Sequence, residues 1–380
     1  MKDWRWNSMN ENLNRLVPSG IRRFTNLAKA TPGCVSLTIG EPDLPTPEPV
    51  RAAAAKALAE HRTHYAPNRG TDGLRKAIAE YETKRGMACT PEQVLVTVGA
   101  TGALNTALTG ILNPGDEVII PTPAFSLYES ITLAAGATPI LLDISKTDFQ
   151  IDPKAFSAVI TPRTRAIVVN SPCNPTGVAL TADSLRAVAE AAKVHGLYVL
   201  CDNVYMGLSE LGIADLSIGY ELGDRLLYCQ SFSKPWAMTG WRIGYLVAEK
   251  ALIEKFVLLQ AAQIAAVPTF IQDAAIVALQ TDISEYREVF RKRRAYVSGR
   301  LKAMGLPFPE PKGAFYLFPD ISKFGLDSET FCTRAILEAG VAAVPGIAFG
   351  CEGRIRISCC YSGEELQEGL GRLEKFIYTL

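Results

Sequence analysis

The sequence has few of the features that mark secreted or membrane proteins. Its nine cysteines are odd in number and form no C-x-x-C pair, which argues against a disulfide scaffold and a zinc ribbon. The first 19 residues are polar and lack the apolar core of a secretory signal. The Ala-rich stretch 251–267 contains Glu254 and Lys255, so it is too interrupted to span a bilayer. We therefore expect a soluble cytoplasmic protein with no membrane partner and no bound metal.

The sequence also lacks an excess of charge of either sign. Lysine plus arginine and aspartate plus glutamate number 39 each, so there is no long-range field to hold a polyanion. Nucleic acid is therefore not expected as a partner. A basic run at 287–294 lies beside Glu285 and Glu288 at helical spacing, which favours a solvated helix face over a nucleic-acid patch.

What the sequence does contain is apolar material for a large fold. Hydrophobic residues make up 48% of the 380 residues, enough for one large domain and a smaller one. From about residue 46 to residue 248, helical patterns alternate with short apolar runs, which predicts an α/β fold whose mainly parallel sheet is covered by helices. The predicted strands are Val94–Val98, Glu117–Ile120, Pro139–Leu142, Ala166–Val169, Tyr198–Cys201, Leu226–Cys229 and Ile243–Val247.

The chain changes character after residue 248. A long helical stretch, interrupted at Pro268, is followed by short predicted strands and two further helices. We expect a large domain at 46–275 and a smaller α+β domain built from 1–45 and 276–380. The short strands of the smaller domain are predicted at Ala314–Phe318, Val341–Val344 and Arg354–Cys359.

The segment Val94–Leu104 is the first that could carry chemistry. It predicts a strand, a turn of small residues and the start of a helix. Small residues let a ligand approach the backbone, and the free N–H groups and positive dipole end of the helix favour an anion such as phosphate. Taken alone, the segment fits an ordinary tight turn equally well.

Two further segments place reactive groups after predicted strands. Asp202 follows Tyr198–Cys201, at the edge where open α/β sheets bind ligands, and there a carboxylate either pairs with a cationic ring or caps a helix. Lys234 follows Leu226–Cys229 among hydroxyl and aromatic residues. A lysine whose pKa is lowered by burial forms a Schiff base with an aldehyde, whereas most lysines near loops are solvent-exposed charges.

Together these segments match the needs of pyridoxal 5'-phosphate: a phosphate seat, a Schiff-base lysine and a carboxylate for the pyridine nitrogen. At these positions the sequence resembles the class I aminotransferases of the fold-type I, aspartate-aminotransferase-like superfamily. The resemblance covers nearly the whole chain and implies a large domain with a mainly parallel sheet plus a smaller α+β domain. Besides the Lys234 segment, it rests on Ser19-Gly20-Ile21-Arg22, Gly40-Glu41-Pro42-Asp43, Tyr65-Ala66-Pro67-Asn68-Arg69-Gly70, Asn174-Pro175-Thr176-Gly177 and Arg354-Ile355-Arg356-Ile357-Ser358.

The resemblance implies three catalytic residues, Lys234, Asp202 and Tyr205. Lys234 would hold the cofactor as a Schiff base and shuttle a proton between the substrate Cα and C4′ of the cofactor. Asp202 would keep the pyridine nitrogen protonated, which makes the ring a better electron sink. Asn174 and Tyr205 would hydrogen-bond the phenolic oxygen, and Phe125 would stack on the ring face.

The resemblance also implies the anion-binding residues. Those implied for the cofactor phosphate are Ala100, Thr101, Ser231 and Arg242. Arg356, with Asn174 beside it, would bind the α-carboxylate of the substrate, and Gly40 would supply a backbone contact from the opposite side. Tyr65 would reach the cofactor phosphate of a neighbouring subunit, so a homodimer with shared active sites is implied.

We therefore predict an aminotransferase that uses pyridoxal 5'-phosphate to move an amino group between an L-amino acid and a 2-oxo acid by a ping-pong mechanism. A carbon–sulfur β-lyase on the same fold is the alternative, because it would use the same cofactor residues. A cofactor-sensing regulator fits less well, since no basic helix-turn-helix pattern precedes the large domain.

Thr101 stands where an aspartate-preferring subgroup has a lysine, which weakens aspartate as the donor. No motif chooses among aromatic, other large neutral and diaminopimelate-type donors.

Overall fold

A seven-stranded sheet forms the centre of the fold. The computed structural model describes residues 10–209 and 222–380. The strands of this sheet are β2 (Val94–Thr97), β3 (Glu117–Thr122), β4 (Thr138–Asp143), β5 (Thr164–Asn170), β6 (Tyr198–Asp202), β7 (Leu226–Ser231) and β8 (Gly244–Val247). In the order β2-β8-β7-β6-β5-β3-β4, all neighbours are parallel except β8, which is antiparallel to β2 and β7. The predicted strands and the mainly parallel sheet are confirmed.

Helices cover both faces of this sheet. Along β2, Val94 and Val96 belong to one buried apolar cluster and Leu95 belongs to another, as expected for a strand with two covered faces. The helices on the Leu95 face are α4 (Gly99–Ile111), α5 (Leu127–Ala134) and α8 (Lys250–Ile264). Those on the other face are α2 (Glu48–Ala59), α3 (Asp72–Lys84), α6 (Pro153–Ala158), α7 (Ala182–His195) and α9 (Thr269–Gln280).

Local sequence signals set the limits of several helices. The Thr181 hydroxyl caps the start of α7 by accepting the Ser184 N–H, and Gly196 ends that helix at φ 66°, where glycine avoids the Cβ clash. Pro268 separates α8 from α9, which confirms the predicted interruption. Among the helices that the structure describes, none is long and apolar enough to cross a membrane.

A second, smaller set of strands and helices surrounds its own apolar cluster. Strands β11 (Val344–Pro345), β12 (Ile355–Ser358) and β9 (Tyr316–Leu317) form an antiparallel sheet, while β1 (Val35–Ser36) pairs with β10 (Val341–Ala342). The predicted single strand Val341–Val344 is therefore wrong, because the chain changes pairing partner at Ala343. The helices of this set are α1 (Gly20–Ala30), α10 (Ser284–Ala303), α11 (Ser328–Ala339) and α12 (Gly363–Ile377).

The point at which the chain passes from the core of the seven-stranded sheet to the second apolar cluster bears on the expected domain boundary. The expected boundary at 275/276 falls inside α9, whose Ala274, Ala275 and Ala278 pack in the apolar core of the seven-stranded sheet. The next helix, α10, packs Phe290 and Val297 into the second cluster. We propose that the division lies between α9 and α10, close to the boundary expected from the sequence. Residues 1–9 of the expected small domain lie outside the described residues.

The basic run on α10 is only partly a solvated face. Arg291 pairs with Glu288 on the exposed side at 2.7 Å, as expected. Arg294 is buried at 4% exposure and donates to the Ala314 carbonyl at 2.8 Å, so the interpretation is wrong for this residue. The reason is that α10 turns one side towards the second cluster, and the long arginine side chain there supplies a donor to an inner carbonyl.

A close approach between β8 and the start of α4 yields a first prediction. A Cβ on Gly244 would lie 2.6 Å from the Gln230 carbonyl oxygen and 2.7 Å from the Gly99 carbonyl carbon, and neither backbone atom can move aside freely. We expect Gly244→Ala to cost about 1–3 kcal/mol of unfolding free energy. Thermal unfolding measures the loss. Gly240→Ala is the matched control, since nothing lies within 4 Å of its Cβ, and an equal loss in both variants would contradict the packing argument.

Candidate active site

A cavity of about 620 Å³ opens at the carboxyl ends of the parallel strands. It lies where the seven-stranded sheet meets α1, β9 and β12, since residues of all four contribute to its lining. Open α/β sheets place their ligand sites at this edge. The structure brings these predicted site residues into its lining: Gly40, Ala100, Thr101, Phe125, Asn174, Asp202, Tyr205, Ser231, Lys234, Arg242 and Arg356.

Lys234 lies in the loop that follows β7. Its side chain is half-buried, and Nζ donates to the Gly40 carbonyl at 2.6 Å. Burial lowers the pKa of the Lys234 amine, and the nearby guanidinium groups of Arg356 and Arg242 lower it further. A lower pKa increases the neutral fraction of the amine, which is the form that attacks a carbonyl.

Asp202 ends β6 and is buried at 4% exposure. Its Oδ2 accepts the Tyr128 hydroxyl at 2.6 Å, and its Oδ1 accepts the Val204 N–H at 3.4 Å. Burial raises the pKa of Asp202 to about 6, while these hydrogen bonds and the Lys234 charge act in the lowering direction. A buried carboxylate held in this way is suited to pairing with a cationic group.

The Tyr128 hydrogen bond yields a second prediction. Because the bond lowers the pKa of Asp202, Tyr128→Phe raises that pKa further above its ordinary value. The carboxylate then becomes protonated at a higher pH, so the acid limb of the kcat/KM profile moves to higher pH. We also expect kcat to fall by about tenfold. Tyr228→Phe is the control, because its hydroxyl faces the buried Glu82 instead. An unmoved acid limb in Tyr128→Phe would exclude this role.

Three aromatic side chains and an amide surround the middle of the cavity. The hydroxyls of Tyr205 and Tyr316 lie 3.1 Å apart, and their rings meet edge to face. Phe125 packs edge to face against Tyr128 on α5. Asn174 is fixed through its N–H, which donates to the Asn170 side chain at 2.8 Å. These groups offer an apolar face and polar edges to a planar ring.

The start of α4 and Arg242 together form an anion-binding site. Gly99 begins the helix at φ +65°, and a Cβ there would lie 2.9 Å from Nη2 of Arg242, so the guanidinium lies against the helix end. The first N–H groups of a helix have no intrahelical partner, and Ala100 and Thr101 present small side chains beside them. Arg242 itself has φ 53°, a strained conformation for a residue other than glycine. Ser231 closes the seat from the end of β7.

Arg356 forms a second anion site on β12. Its side chain is 1% exposed, Nη1 donates to Asn174 Oδ1 at 2.8 Å, and Nη2 donates to the Thr38 carbonyl. The guanidinium lies 4.4 Å from the centre of the Tyr316 ring. Within the described ranges, Nε of Arg356 is buried and has no hydrogen-bond partner. Such a group is costly unless a ligand satisfies it, and a carboxylate fits.

Known proteins are similar to this chain over nearly its whole length. The sequence profile of the family described as Aminotransferase class I and II matches residues 32–373. The chain belongs to this family. It is 38% identical to aromatic-amino-acid aminotransferase 2 of Thermococcus litoralis, over 97% of this chain and 98% of that protein. It is 39% identical to an aspartate aminotransferase of Pyrococcus abyssi over the same two shares. A solved aspartate aminotransferase of Thermus thermophilus superposes with a TM-score of 0.92 at 35% identity, over 97% of this chain and 99% of that one.

Membership in the class I and II aminotransferases confirms the predicted fold type I and the transfer of amino groups. These relatives are named as aminotransferases, so the β-lyase alternative is not favoured. One expected site residue of this aminotransferase does not line the cavity of the described chain. Tyr65 is 92% exposed, and its expected contact with a neighbouring subunit stays a prediction.

Sequence reasoning missed three residues that this aminotransferase uses to hold its site together. Tyr128 bonds Asp202, Tyr316 bonds Tyr205, and Thr38 accepts from Arg356. Tyr128 carried one usable signal, because it stands only three residues after Phe125, the residue expected to stack on the cofactor ring. Tyr316 and Thr38 stand in no motif, and only the packing of the second set of strands brings them to the cavity.

Proposed function

We propose that this aminotransferase binds pyridoxal 5'-phosphate covalently through Lys234 and transfers amino groups between an L-amino acid and a 2-oxo acid by a ping-pong mechanism. The observation that carries the proposal is the meeting of Lys234, Asp202, Arg242 and Arg356 in one cavity. No single residue of this set is specific. An amine, a carboxylate and two separate anion sites at the ends of parallel strands are what an amino acid and a phosphorylated ring require.

The residues present fit the cofactor. When bound, pyridoxal phosphate supplies an aldehyde for covalent attachment and an electron-withdrawing ring that stabilises negative charge at the substrate Cα. Asp202, oriented by Tyr128, would face the ring nitrogen, and the start of α4 with Ser231 and Arg242 would hold the phosphate. Asn174 and Tyr205 would bond the phenolic oxygen, and Phe125 would cover the ring face.

The substrate is held and deprotonated by residues of the chain. Arg356 binds the α-carboxylate, because its Nε has no partner among the described residues and its guanidinium plane is fixed by Asn174, and Gly40 lies on the opposite side. Lys234 Nζ would take a proton from the substrate Cα and would deliver it to C4′ of the cofactor. Its lowered pKa favours the neutral amine that this role requires.

The proposal also includes an oligomeric state and a cellular compartment. Tyr65 is exposed here, and we assign its hydroxyl to the cofactor phosphate of a second copy of the chain, in a homodimer with shared active sites. We assign the enzyme to the cytoplasm, since its nine cysteines are all free thiols, which a reducing compartment keeps reduced. The relatives are named for aromatic amino acids and for aspartate, so both classes belong among the donors to be tested.

Transfer of a labelled amino group tests the function. The enzyme loaded with pyridoxal phosphate is mixed with a panel of ¹⁵N-labelled L-amino acids and a 2-oxo acid. We expect the label in the amino acid formed from the acceptor, with one donor oxo acid formed per label transferred. Release of labelled ammonia without any need for the acceptor would contradict the proposal and would restore the lyase alternative.

A further inference from the structure

A second cavity, of about 400 Å³, is separate from the active-site cavity, since no described residue lines both. Its described lining comes from α3, from the segments after Tyr205 and Lys234, and from the connection between α9 and α10. We place the division between the two domains at that connection, so we call this space the junction cavity. Cavities at domain boundaries are common sites for small ligands.

The junction cavity touches the same two segments that carry residues of the active site. Tyr205 lines the active-site cavity and Gly207 lines the junction cavity, while Lys234 lines the first and Trp236 lines the second. A Cβ on Gly207 would lie 2.7 Å from Cγ of Pro235, so the two segments pack directly against each other. A ligand in the junction cavity would therefore contact both segments away from the substrate.

Two buried N–H donors in the lining of the junction cavity lack an acceptor. Trp236 is 2% exposed, and neither its Nε1 nor Nε of Arg85 has a hydrogen-bond partner among the described residues. Within the same ranges, Nε of Arg356 is the third side-chain N–H group in this condition, and we assign it to the substrate α-carboxylate. An acceptor oxygen supplied by a ligand would satisfy the other two.

Arg85 is held in place by contacts that leave its Nε unpaired. Nη1 donates to the Tyr81 hydroxyl, and the guanidinium lies 4.9 Å from the centre of the Tyr81 ring. The Glu82 carboxylate is 3.9 Å from Nε, which is too long for a hydrogen bond. Its oxygens accept from the hydroxyls of Tyr228 and Tyr245 instead. Glu82 therefore neutralises charge behind Arg85 without supplying the missing acceptor.

The charged groups of the described lining favour an oxyanion. They are two arginines, Arg85 and Arg287, and one carboxylate, Asp282. Asp282 lies 4.0 Å from Arg287, and its oxygens accept the N–H and the hydroxyl of Ser284. The Arg287 side chain is 49% exposed and forms no closer ion pair with any described residue. Guanidinium groups of this kind bind the oxygens of carboxylates and phosphates.

We propose that the junction cavity binds a small oxyanion, a carboxylate or a phosphate, whose oxygens accept from Trp236 Nε1, Arg85 Nε and the Arg287 guanidinium. The ligand would connect the loop that carries Lys234 to the first turn of α10. The site is distinct from Arg356 and from the anion-binding site at the start of α4. It therefore does not depend on the reaction proposed for Lys234.

Calorimetry of the enzyme loaded with pyridoxal phosphate tests the site. The probes are inorganic phosphate and benzoate, whose aromatic ring suits Tyr81 and Trp236, and the tighter of the two identifies the preferred headgroup. We expect one saturable site per chain in the junction cavity. Trp236→Phe keeps an aromatic ring but removes the N–H group, and should weaken binding by about tenfold or more. Arg287→Met should weaken it by about three- to tenfold.

Two matched variants serve as controls. Trp241→Phe removes another indole N–H of the same loop, one that donates to the Thr46 hydroxyl at 3.0 Å. Arg291→Met removes a guanidinium one turn further along α10, outside the described lining. Both controls should leave the affinity within about twofold of the wild-type value.

The active site is the competing location for either probe. The titration is therefore repeated in Arg356→Met, where binding that persists supports the junction cavity and binding that disappears overturns the inference. Equal affinities in the wild type and in Trp236→Phe would also overturn it. So would the absence of saturable binding by both probes at concentrations up to about 10 mM. Because no turnover is measured, failure of the proposed amino-group transfer would leave these results unchanged.

Discussion

Lys234→Ala is expected to abolish turnover, with kcat/KM at least about 10⁴-fold lower than in the wild-type enzyme. In the proposed function, this variant loses both the amine that attaches the cofactor and the base that moves the substrate proton. Burial and two nearby arginines lower the pKa of this amine, and Lys29, the other lysine in the described lining of the cavity, lies on α1. The visible absorbance of the lysine-bound cofactor should be absent as well. The loss of activity and the loss of absorbance then both follow from the removal of Nζ of Lys234.

A second lysine provides the matched control for this prediction. Lys323→Ala removes another amine that donates to a glycine carbonyl, that of Gly305 at 2.9 Å, on the surface and away from the cavity. This control should keep wild-type activity and the wild-type spectrum. A Lys234→Ala protein that folds, shows the absorbance of covalently held cofactor and turns over at the wild-type rate would refute the assignment of Lys234.

Asp202→Asn carries the second largest expected effect, a fall in kcat of about 10²–10³-fold. The amide keeps the size of the side chain and still accepts the Tyr128 hydroxyl, so the change removes charge with little change of shape. In the proposed function, the amide would not stabilise a protonated ring nitrogen as the carboxylate does, and negative charge at the substrate Cα would be stabilised less well. Steady-state kinetics with the best amino acid donor measures the loss.

A second buried carboxylate serves as the control for Asp202. Glu82 is fully buried and bonded by the hydroxyls of Tyr228 and Tyr245, but it does not line the cavity. Burial raises the pKa of Glu82, so both residues are desolvated acids. Glu82→Gln should leave kcat near the wild-type value. An Asp202→Asn enzyme as active as Glu82→Gln would show that the charge of Asp202 is not used.

Much of the large sheet could be read from the sequence, because its strands are covered on both faces. Val94–Thr97 and Tyr198–Asp202 are mostly apolar runs that are buried along their whole length, as expected of a strand covered on both faces. Lys234 and Asp202 could be placed for the same reason, since Asp202 ends one such strand and Lys234 lies in the loop after another. The resemblance to the family then linked these residues with Arg242 and Arg356, which lie far apart in the chain.

Tertiary packing explains the features that the sequence did not predict. The strand Val341–Val344 splits because Val341 pairs with Val35 while Val344 pairs with Arg356, and no local pattern shows a change of partner. Arg294 has the local pattern of a surface residue, yet it is buried because α10 turns that side inward. The roles of Tyr316 and Thr38 likewise depend on how the second set of strands meets the large sheet.

A single-turnover reaction tests the central claim most directly. The enzyme loaded with pyridoxal phosphate is mixed with one amino acid in the absence of any 2-oxo acid. The account predicts one oxo acid formed per active site, loss of the absorbance of the lysine-bound cofactor, and recovery of that absorbance when a 2-oxo acid is added and converted to its amino acid. Continued turnover with release of ammonia, or no spectral change with any amino acid, would contradict it.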